Sequence, residues 1–282
     1  MSNPSIGIIG AGFVGTAICK AFVHYVDVKI YDIAKDMGFK YEDVIRQDVL
    51  FFCLPTPMLP DGNVDISILE AALKQASSTL NNDQRPALIK STIPPLEAAR
   101  LQNIFSNLEI IHNPEFLTER TANLDYIQQS RILLGIDPTG PMIVDSNVTD
   151  LFYLRFPGVP IRIVSWNEAA LIKYTTNVFF CVKLSLFNEI CQVCKSLDID
   201  YNTVIQEVLN DGRIGRSHAM IPGMDGKVGW GGSCFCKDIN GYMNFARGCG
   251  VSPIVAEAAW AKNLEVRPEK DWMQLKGRAV SE

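Results

Sequence analysis

The sequence predicts an α/β protein, an N-terminal Rossmann-type doubly wound sheet followed by an all-helical domain. Three observations carry this. Short apolar runs alternate with helical stretches from residue 5 to about 165. A Gly10-x-Gly12-x-x-Gly15 loop follows the first run and opens a helix. After Ser165 the strand rhythm stops, and residues 166 to about 197 are apolar on almost all sides without a glycine or proline.

The apolar runs are Ile6 to Ile9, Val28 to Tyr31, Val49 to Leu54, Ala87 to Ile89, Ile110 to His112, Ile132 to Ile136 and Ile161 to Val164. Strands that alternate with helices build a mainly parallel sheet, and the loops after its strands form the ligand crevice. Ile66 to Leu80 and Pro94 to Phe105 have helical spacing, the second opened by Ser91-Thr92 and by prolines suited to a first turn. Beyond the long helix, the pattern predicts a helix over Asp200 to Leu209, a loop rich in glycine and basic residues over 210 to 233, and helices over 236 to 248 and 253 to 265. Arg267 to Glu282 reads as a charged tail that need not be ordered. The expected domains are 1–165, built on the sheet and its glycine loop, and 166–282, helical.

A chain of 282 residues has room for about two domains, and 48% apolar with 20% charged residues fits a globular protein with a sizeable core. A formal charge of -5 argues against a nucleic-acid partner or an anionic membrane surface. The chain enters its first strand without a basic leader segment, and the greasy stretch Tyr174 to Phe187 is interrupted by Lys183 and short for a bilayer span. A cytoplasmic protein is expected, with no membrane partner. The eight cysteines read as thiols, not as a disulfide framework. None of the three histidines is spaced as a metal partner for Cys191-x-x-Cys194, so no metal is expected.

In the glycine loop, Gly10 permits the tight turn, Gly12 lets a pyrophosphate approach, and Gly15 allows the helix to pack closely on the strand. Asp32 ends the next strand, 22 residues after Gly10. It is placed to bind ribose hydroxyls, and its charge disfavours a 2'-phosphate, which points to NAD over NADP. Further along, Gly229-Trp230-Gly231-Gly232-Ser233-Cys234 sets a thiol ahead of a helical first turn, where the positive dipole end favours thiolate. Lys173, Asn177 and Asn188 fall on one face of the long helix. Such a lysine either snorkels at a domain boundary or meets an anion, and the segment alone leaves both open. Glu115 and Glu119, four apart after a strand, could place or deprotonate water, although a solvated pair of acids is the better reading of that segment alone.

Taken together these residues resemble the UDP-glucose and GDP-mannose dehydrogenase family. The matching segments are GAGFVG at 10–15, PTPMLPDGNVD at 55–65, KSTIPP at 90–95, NPEFLTE at 113–119, KYTTN at 173–177, DGRIG at 211–215 and GWGGSCFCKD at 229–238. The resemblance implies oxidation of the C6 alcohol of a nucleotide sugar to a carboxylate, UDP-glucose to UDP-glucuronate, with two NAD and one water. It implies that Cys234 forms a thiohemiacetal and then a thioester, that Lys173 and Asn177 stabilise oxyanions, and that Asp238 with a water moves protons. Glu115 and Thr92 are then set near the thioester water. It further places Phe13, Val14, Thr56, Ser91, Thr92, Glu119 and Lys237 around NAD. By the same resemblance Phe116, Leu117 and Gly229 are expected to line the sugar-nucleotide pocket, and Arg213 to reach substrate across a homodimer interface. A GDP-mannose or other UDP-hexose dehydrogenase, a two-electron β-hydroxyacid dehydrogenase and a shortened non-catalytic NAD-binding paralogue are the competing readings. Cys234 in its GGSCF setting speaks against the β-hydroxyacid enzyme.

This sequence departs from the family's pattern in three ways. It ends about where the family's third, Rossmann-like domain begins. Its segment from Arg213 to Cys234 is longer and adds Arg216, His218 and Lys227, a basic loop expected to bind the diphosphate. Arg120 and Cys236 replace residues of other types, and Cys236 is expected to be inert because cysteines two apart seldom reach disulfide geometry.

Overall fold

The computed structural model describes residues 4–140 and 143–281. The described chain forms two compact units, one containing residues up to Thr56 together with Asp65–Lys173, the other Pro57–Val64 together with residues from Tyr174 onward.

The first unit is a seven-stranded sheet of β1 (Ile6–Ile9), β2 (Val28–Tyr31), β3 (Val49–Phe52), β4 (Arg85–Ile89), β5 (Leu108–His112), β6 (Ile132–Ile136) and β7 (Ile161–Ser165). The spatial order is β2-β1-β3-β4-β5-β6-β7. All neighbours run parallel except β5 and β6, which meet antiparallel with His112 opposite Gly135. The expected mainly parallel sheet is therefore present. Its helices are α1 (Phe13–Phe22), α2 (Tyr41–Ile45), α3 (Ser67–Leu80), α4 (Glu97–Ile104), α5 (Ala122–Ile127), α6 (Ser146–Arg155) and the opening turns of α7 (Trp166–Ser196).

Side-chain alternation divides the core into two layers. On β3, Val49 and Phe51 join a cluster with α1, α5 and α6, whereas Leu50 and Phe52 join one with α2, α3 and α4. A strand buried on both faces must be apolar at every position, which is why Val49 to Phe52 is an unbroken run. Gly135 serves this packing, since a Cβ there would lie 2.5 Å from the Cβ of Ala169 on α7. A capping box opens α7: Glu168 accepts the Ser165 N–H at 2.7 Å and its own N–H donates to the Ser165 hydroxyl.

The second unit holds the remainder of α7, then α8 (Tyr201–Asn210), α9 (Phe235–Gly248) and α10 (Ile254–Val266). Asp200 caps α8 by accepting from the backbone of Asn202 and Thr203. The core of this unit joins Cys181, Phe187 and Cys191 of α7 to Ile205, Trp230, Ile239 and Trp272. Trp260 stands between Trp230 and Trp272, with ring centroids 5.5 and 5.4 Å away.

The last residues differ from the expected loose tail. Trp272 and Ala279 are fully buried, and the Met58 N–H donates to Ala279 while Ser281 N–H donates back to Met58. Apolar side chains set among the charges supply the reason: Trp272 and Val280 bury enough surface to hold the segment. At 31 residues, α7 is also the one helix among the described residues long and apolar enough to cross a membrane, with half of its most apolar window buried inside the protein.

Candidate functional site

Two clusters of polar residues form, one in each unit. In the first, the glycine loop leaves β1 with Gly10 at φ +100°, and a Cβ on Gly10 would lie 2.4 Å from the Cys53 carbonyl oxygen. Gly15 sits with its Cα against that turn, where a Cβ would meet the Gly10 oxygen at 1.9 Å. Gly12 caps α1 and is open, with nothing within 4 Å of where its Cβ would stand. That opening at a helix N-terminus suits a pyrophosphate. Phe13 and Val14 pack against the sheet behind it.

Asp32 accepts from the backbone of Ala11 at 2.7 Å and of Ala34 at 2.9 Å, so its carboxylate is tied to the glycine loop. Two neighbours were missed in the sequence. Lys35 donates to the Ala11 carbonyl at 2.7 Å, and Ile33 is 94% exposed beside Asp32. The signal was available in principle, because Ile33 is a large apolar residue in a polar loop.

The loops after β3, β4 and β5 are pinned to one another. The Ser91 hydroxyl donates to the Leu54 carbonyl and the Thr56 hydroxyl to the Thr92 carbonyl. Lys90, buried at the end of β4, donates to Asn113 at 2.8 Å, and Asn113 donates on to Leu133 of β6. Burial pushes the Lys90 ammonium down to about 8. The neighbouring Cys53 thiol is pushed up to about 12 by the same cause. Lys90 was not singled out in the sequence, although a lysine directly after a buried apolar strand is the available clue.

The choice left open for Lys173 resolves to an anionic partner within the same unit. Lys173 is only 2% exposed, and its ammonium donates to the Glu115 carbonyl at 2.6 Å and to its carboxylate at 3.2 Å. Glu115 in turn accepts the Leu117 N–H at 2.6 Å. The solvated-pair reading of the two glutamates therefore fails for Glu115, whereas Glu119 is exposed. Phe116 lies between two cations, 5.4 Å from the Lys173 ammonium and 4.7 Å from the Arg131 guanidinium.

In the second unit, Cys234 occupies the N-cap position of α9 and is partly exposed, with its sulfur 3.8 Å from the Ser233 hydroxyl. One turn on, the fully buried Asp238 carboxylate accepts from Asn177 at 2.5 Å and from Lys237 at 2.6 Å. Asn188 does not line this polar group; it is buried and accepts the Gly229 N–H. Cys236 is fully buried, and burial raises its thiol well above the usual range, in keeping with an inert thiol.

The basic loop is only partly free for an anion. Lys227 pairs with Asp271 at 2.8 Å and with Glu269 at 3.4 Å. The sequence hid this because both acids lie over forty residues away. His218 stacks on Phe180 with centroids 3.9 Å apart. Arg216 reaches Asn210, and Arg213, whose side chain is 89% exposed, pairs with Asp211.

The NAD-binding domain of the UDP-glucose/GDP-mannose dehydrogenase family matches residues 32–148, and the central domain of that family matches residues 167–265. This chain belongs to that family. The UDP-glucose 6-dehydrogenase of Haloferax volcanii is 28% identical over 94% of this chain and 70% of its own length. That of Bacillus subtilis is 27% identical over 78% of this chain, which spans about half, 47%, of the curated relative. The solved structure of a UDP-glucose dehydrogenase from Pyrobaculum islandicum superposes with a TM-score of 0.80 at 25% identity, covering 93% of this chain and 68% of the other.

Family membership makes NAD the cofactor. The first unit offers groups of the right chemistry to hold it: an open Gly12 at a helix N-terminus, the Asp32 carboxylate just after β2 and an exposed apolar Ile33 beside it.

Proposed function

We propose that this dehydrogenase oxidises the C6 alcohol of a nucleotide sugar to the carboxylate, with UDP-glucose as the first substrate to test and GDP-mannose or another UDP-hexose as the alternatives. The observation that carries this reading is Cys234 at the N-cap of a fourteen-residue helix with the Asp238 carboxylate one turn behind it. A two-electron dehydrogenase has no use for a thiol there.

When bound, NAD accepts a hydride in each of two oxidations. The residues of the chain do the rest. The first oxidation leaves an aldehyde, and the Cys234 sulfur adds to its carbon as the carbonyl oxygen takes a proton, giving a thiohemiacetal. The second removes hydride from that carbon and the hydroxyl proton, leaving a thioester. Water then adds to the thioester, the carbon–sulfur bond breaks, and the carboxylate leaves as the thiol is restored. A thiol at the N-cap of α9 faces the positive end of the helix dipole, where a developing thiolate is stabilised.

Lys173 and Asn177, one turn apart on α7, are assigned to hydrogen-bond the oxyanions of these steps. Asp238, held by Asn177 and Lys237, is assigned to proton transfer through a water. Glu115 and Thr92 are assigned to position the hydrolytic water, and Glu115 has the geometry of a fixed group because Lys173 and the Leu117 N–H both hold it. Thr56, Ser91, Glu119 and Lys237 are proposed NAD contacts, and Phe116, Leu117, Gly229 and Arg213 substrate contacts. A homodimer is proposed through α7, whose Phe179, Leu186 and Val193 recur at seven-residue spacing and stand exposed.

The experiment is the stoichiometry of NADH formed at saturating NAD with limiting UDP-glucose, GDP-mannose or UDP-galactose. Two NADH per sugar, lost in Cys234→Ser, is the expected result. One NADH per sugar in the wild type, or two in the variant, overturns the thioester route.

A further inference from the structure

The glycine loop before Cys234 has few side chains of its own, so what holds it must come from elsewhere. Asn263, in the last turn of α10, is fully buried and grips one peptide residue from both sides: its Oδ1 accepts the Trp230 N–H at 2.8 Å, and its Nδ2 donates to the Trp230 carbonyl at 2.9 Å. Asn188 of α7 accepts the Gly229 N–H at 2.9 Å. The Trp230 indole donates to Ser185 at 3.0 Å, and Ser185 donates to the Ala259 carbonyl.

One turn beyond Asn263 lies Arg267, buried and fixed by Asp271 at 2.9 and 2.7 Å and by Asp225 at 2.8 Å. Its guanidinium forms a floor under Gly231, where a Cβ would meet Nη2 at 2.8 Å. A Cβ on Gly229 would meet Asn263 Oδ1 at 2.6 Å. The glycines are therefore required by the closeness of these two side chains, as well as by the positive φ of Gly229 and Gly232. Buried amide and guanidinium groups cost free energy unless hydrogen-bonded, and here Asn263 spends its hydrogen bonds on the Trp230 backbone and Arg267 on Asp225 and Asp271.

We propose that Asn263 and Arg267 are positioning residues that set the Gly229–Ser233 loop and so the reactivity of the Cys234 thiol. The inference rests on Cys234 being the nucleophile. Asn263 fixes the peptide four residues before the thiol, and Arg267 prevents the following glycine turn from sinking toward α10. Loss of either lets the loop move while leaving α9 and its cap sequence in place.

The test is the rate at which iodoacetamide alkylates Cys234 between pH 6 and 9, read on the Cys234 peptide by mass spectrometry in a Cys249→Ser background. Asn263→Ala is expected to slow alkylation at least tenfold at pH 7.5, Asn263→Asp, which keeps the acceptor for the Trp230 N–H, to slow it less, and Arg267→Lys to retain more reactivity than Arg267→Met. With UDP-glucose, the same variants are expected to drop from two NADH per sugar toward one and to release aldehyde trapped by hydroxylamine, because the second oxidation alone needs the thiol. Folding is followed by the circular-dichroism melt of each variant, and Asn263→Asp and Arg267→Lys supply the answer if the severer changes do not fold. An unchanged alkylation profile in folded variants overturns the proposal, as does an equal loss of both oxidations. Two NADH per sugar from Cys234→Ser would instead overturn the nucleophile, while the alkylation rates would still report on the loop.

Discussion

The Lys173 ammonium holds Glu115 twice, through its backbone carbonyl at 2.6 Å and through its carboxylate at 3.2 Å, with both side chains almost wholly removed from water. Two opposite charges buried together are tolerable, whereas one left alone is not. Lys173→Ala is expected to cost about 3 kcal/mol of stability, the loss typical when one partner of a buried pair is removed. Lys173→Met with Glu115→Leu is expected to be more stable than either single variant, because no uncompensated charge remains. Urea unfolding of Lys173→Met, Glu115→Leu and the double variant, beside Lys173→Ala, gives the comparison. Additive losses would show that the pair is not coupled.

The glycine loop permits a sharper separation of folding from binding. Gly15→Ala places a Cβ 1.9 Å from the Gly10 oxygen, so backbone must shift and a loss of about 3 kcal/mol is expected, the upper end of overpacking costs. Gly12 has an ordinary φ of -73° and open space around its Cβ position, so Gly12→Ala should fold with an unchanged melting temperature. Its methyl fills the approach to the helix N-terminus, and NAD affinity is expected to fall at least tenfold, about 1.4 kcal/mol. Calorimetric titration with NAD, beside a thermal melt, distinguishes the two variants. Unweakened NAD binding by Gly12→Ala would remove the pyrophosphate from this loop.

How much of this was legible in the sequence follows from the range of each interaction. The strands were readable because a strand covered on both faces is an unbroken apolar run, as Val49 to Phe52 is, and the helices because their spacing is local. The burial of Glu115 was not, since the segment NPEFLTE shows two acids in a turn and nothing there announces a lysine 58 residues later in the chain. Asn263 and Arg267 carry no local signal either; each looks like an ordinary polar residue at a helix end until the loop they hold folds against them. The ordered end of the chain was hidden for a third reason, because a few apolar residues such as Trp272 outweigh the charges that dominate the composition there.

His112 gives the fold an acid limit. It is fully buried at the end of β5, facing Lys90 and Lys173, and burial, only partly offset by the backbone at Ser91 and Trp166, pushes it down to about 4. In the unfolded chain it takes a proton near 6.5, so between these values the unfolded state binds more protons. The stability it contributes is present above pH 6.5 and is lost as pH falls toward 4, roughly 3 kcal/mol in all. Urea midpoints for wild type are expected to drop between pH 7 and 4.5, and His112→Leu to show a visibly smaller drop. Parallel pH profiles for the two proteins would assign the acid loss to other groups.

The exposed stripe on α7 calls for an account of what covers it. Phe179, Leu186 and Val193 are 60, 52 and 53% exposed and recur every seven residues, so they lie along one side of a helix whose other side is core. A helix related to itself by a two-fold axis meets the same stripe on its partner, and each large side chain buried there contributes about 2 kcal/mol. Phe179→Glu with Leu186→Glu puts two charges per chain into that contact. The double variant is expected to weaken self-association about a thousandfold, roughly 4 kcal/mol, and to run as a monomer in light scattering at micromolar protein where the wild type is expected to run as a dimer. Since neither side chain belongs to the core of the second unit, its melt at low protein concentration should match that of dilute wild type. A wild type that is already monomeric at that concentration ends the dimer reading, and with it the proposed reach of Arg213 into a neighbouring subunit.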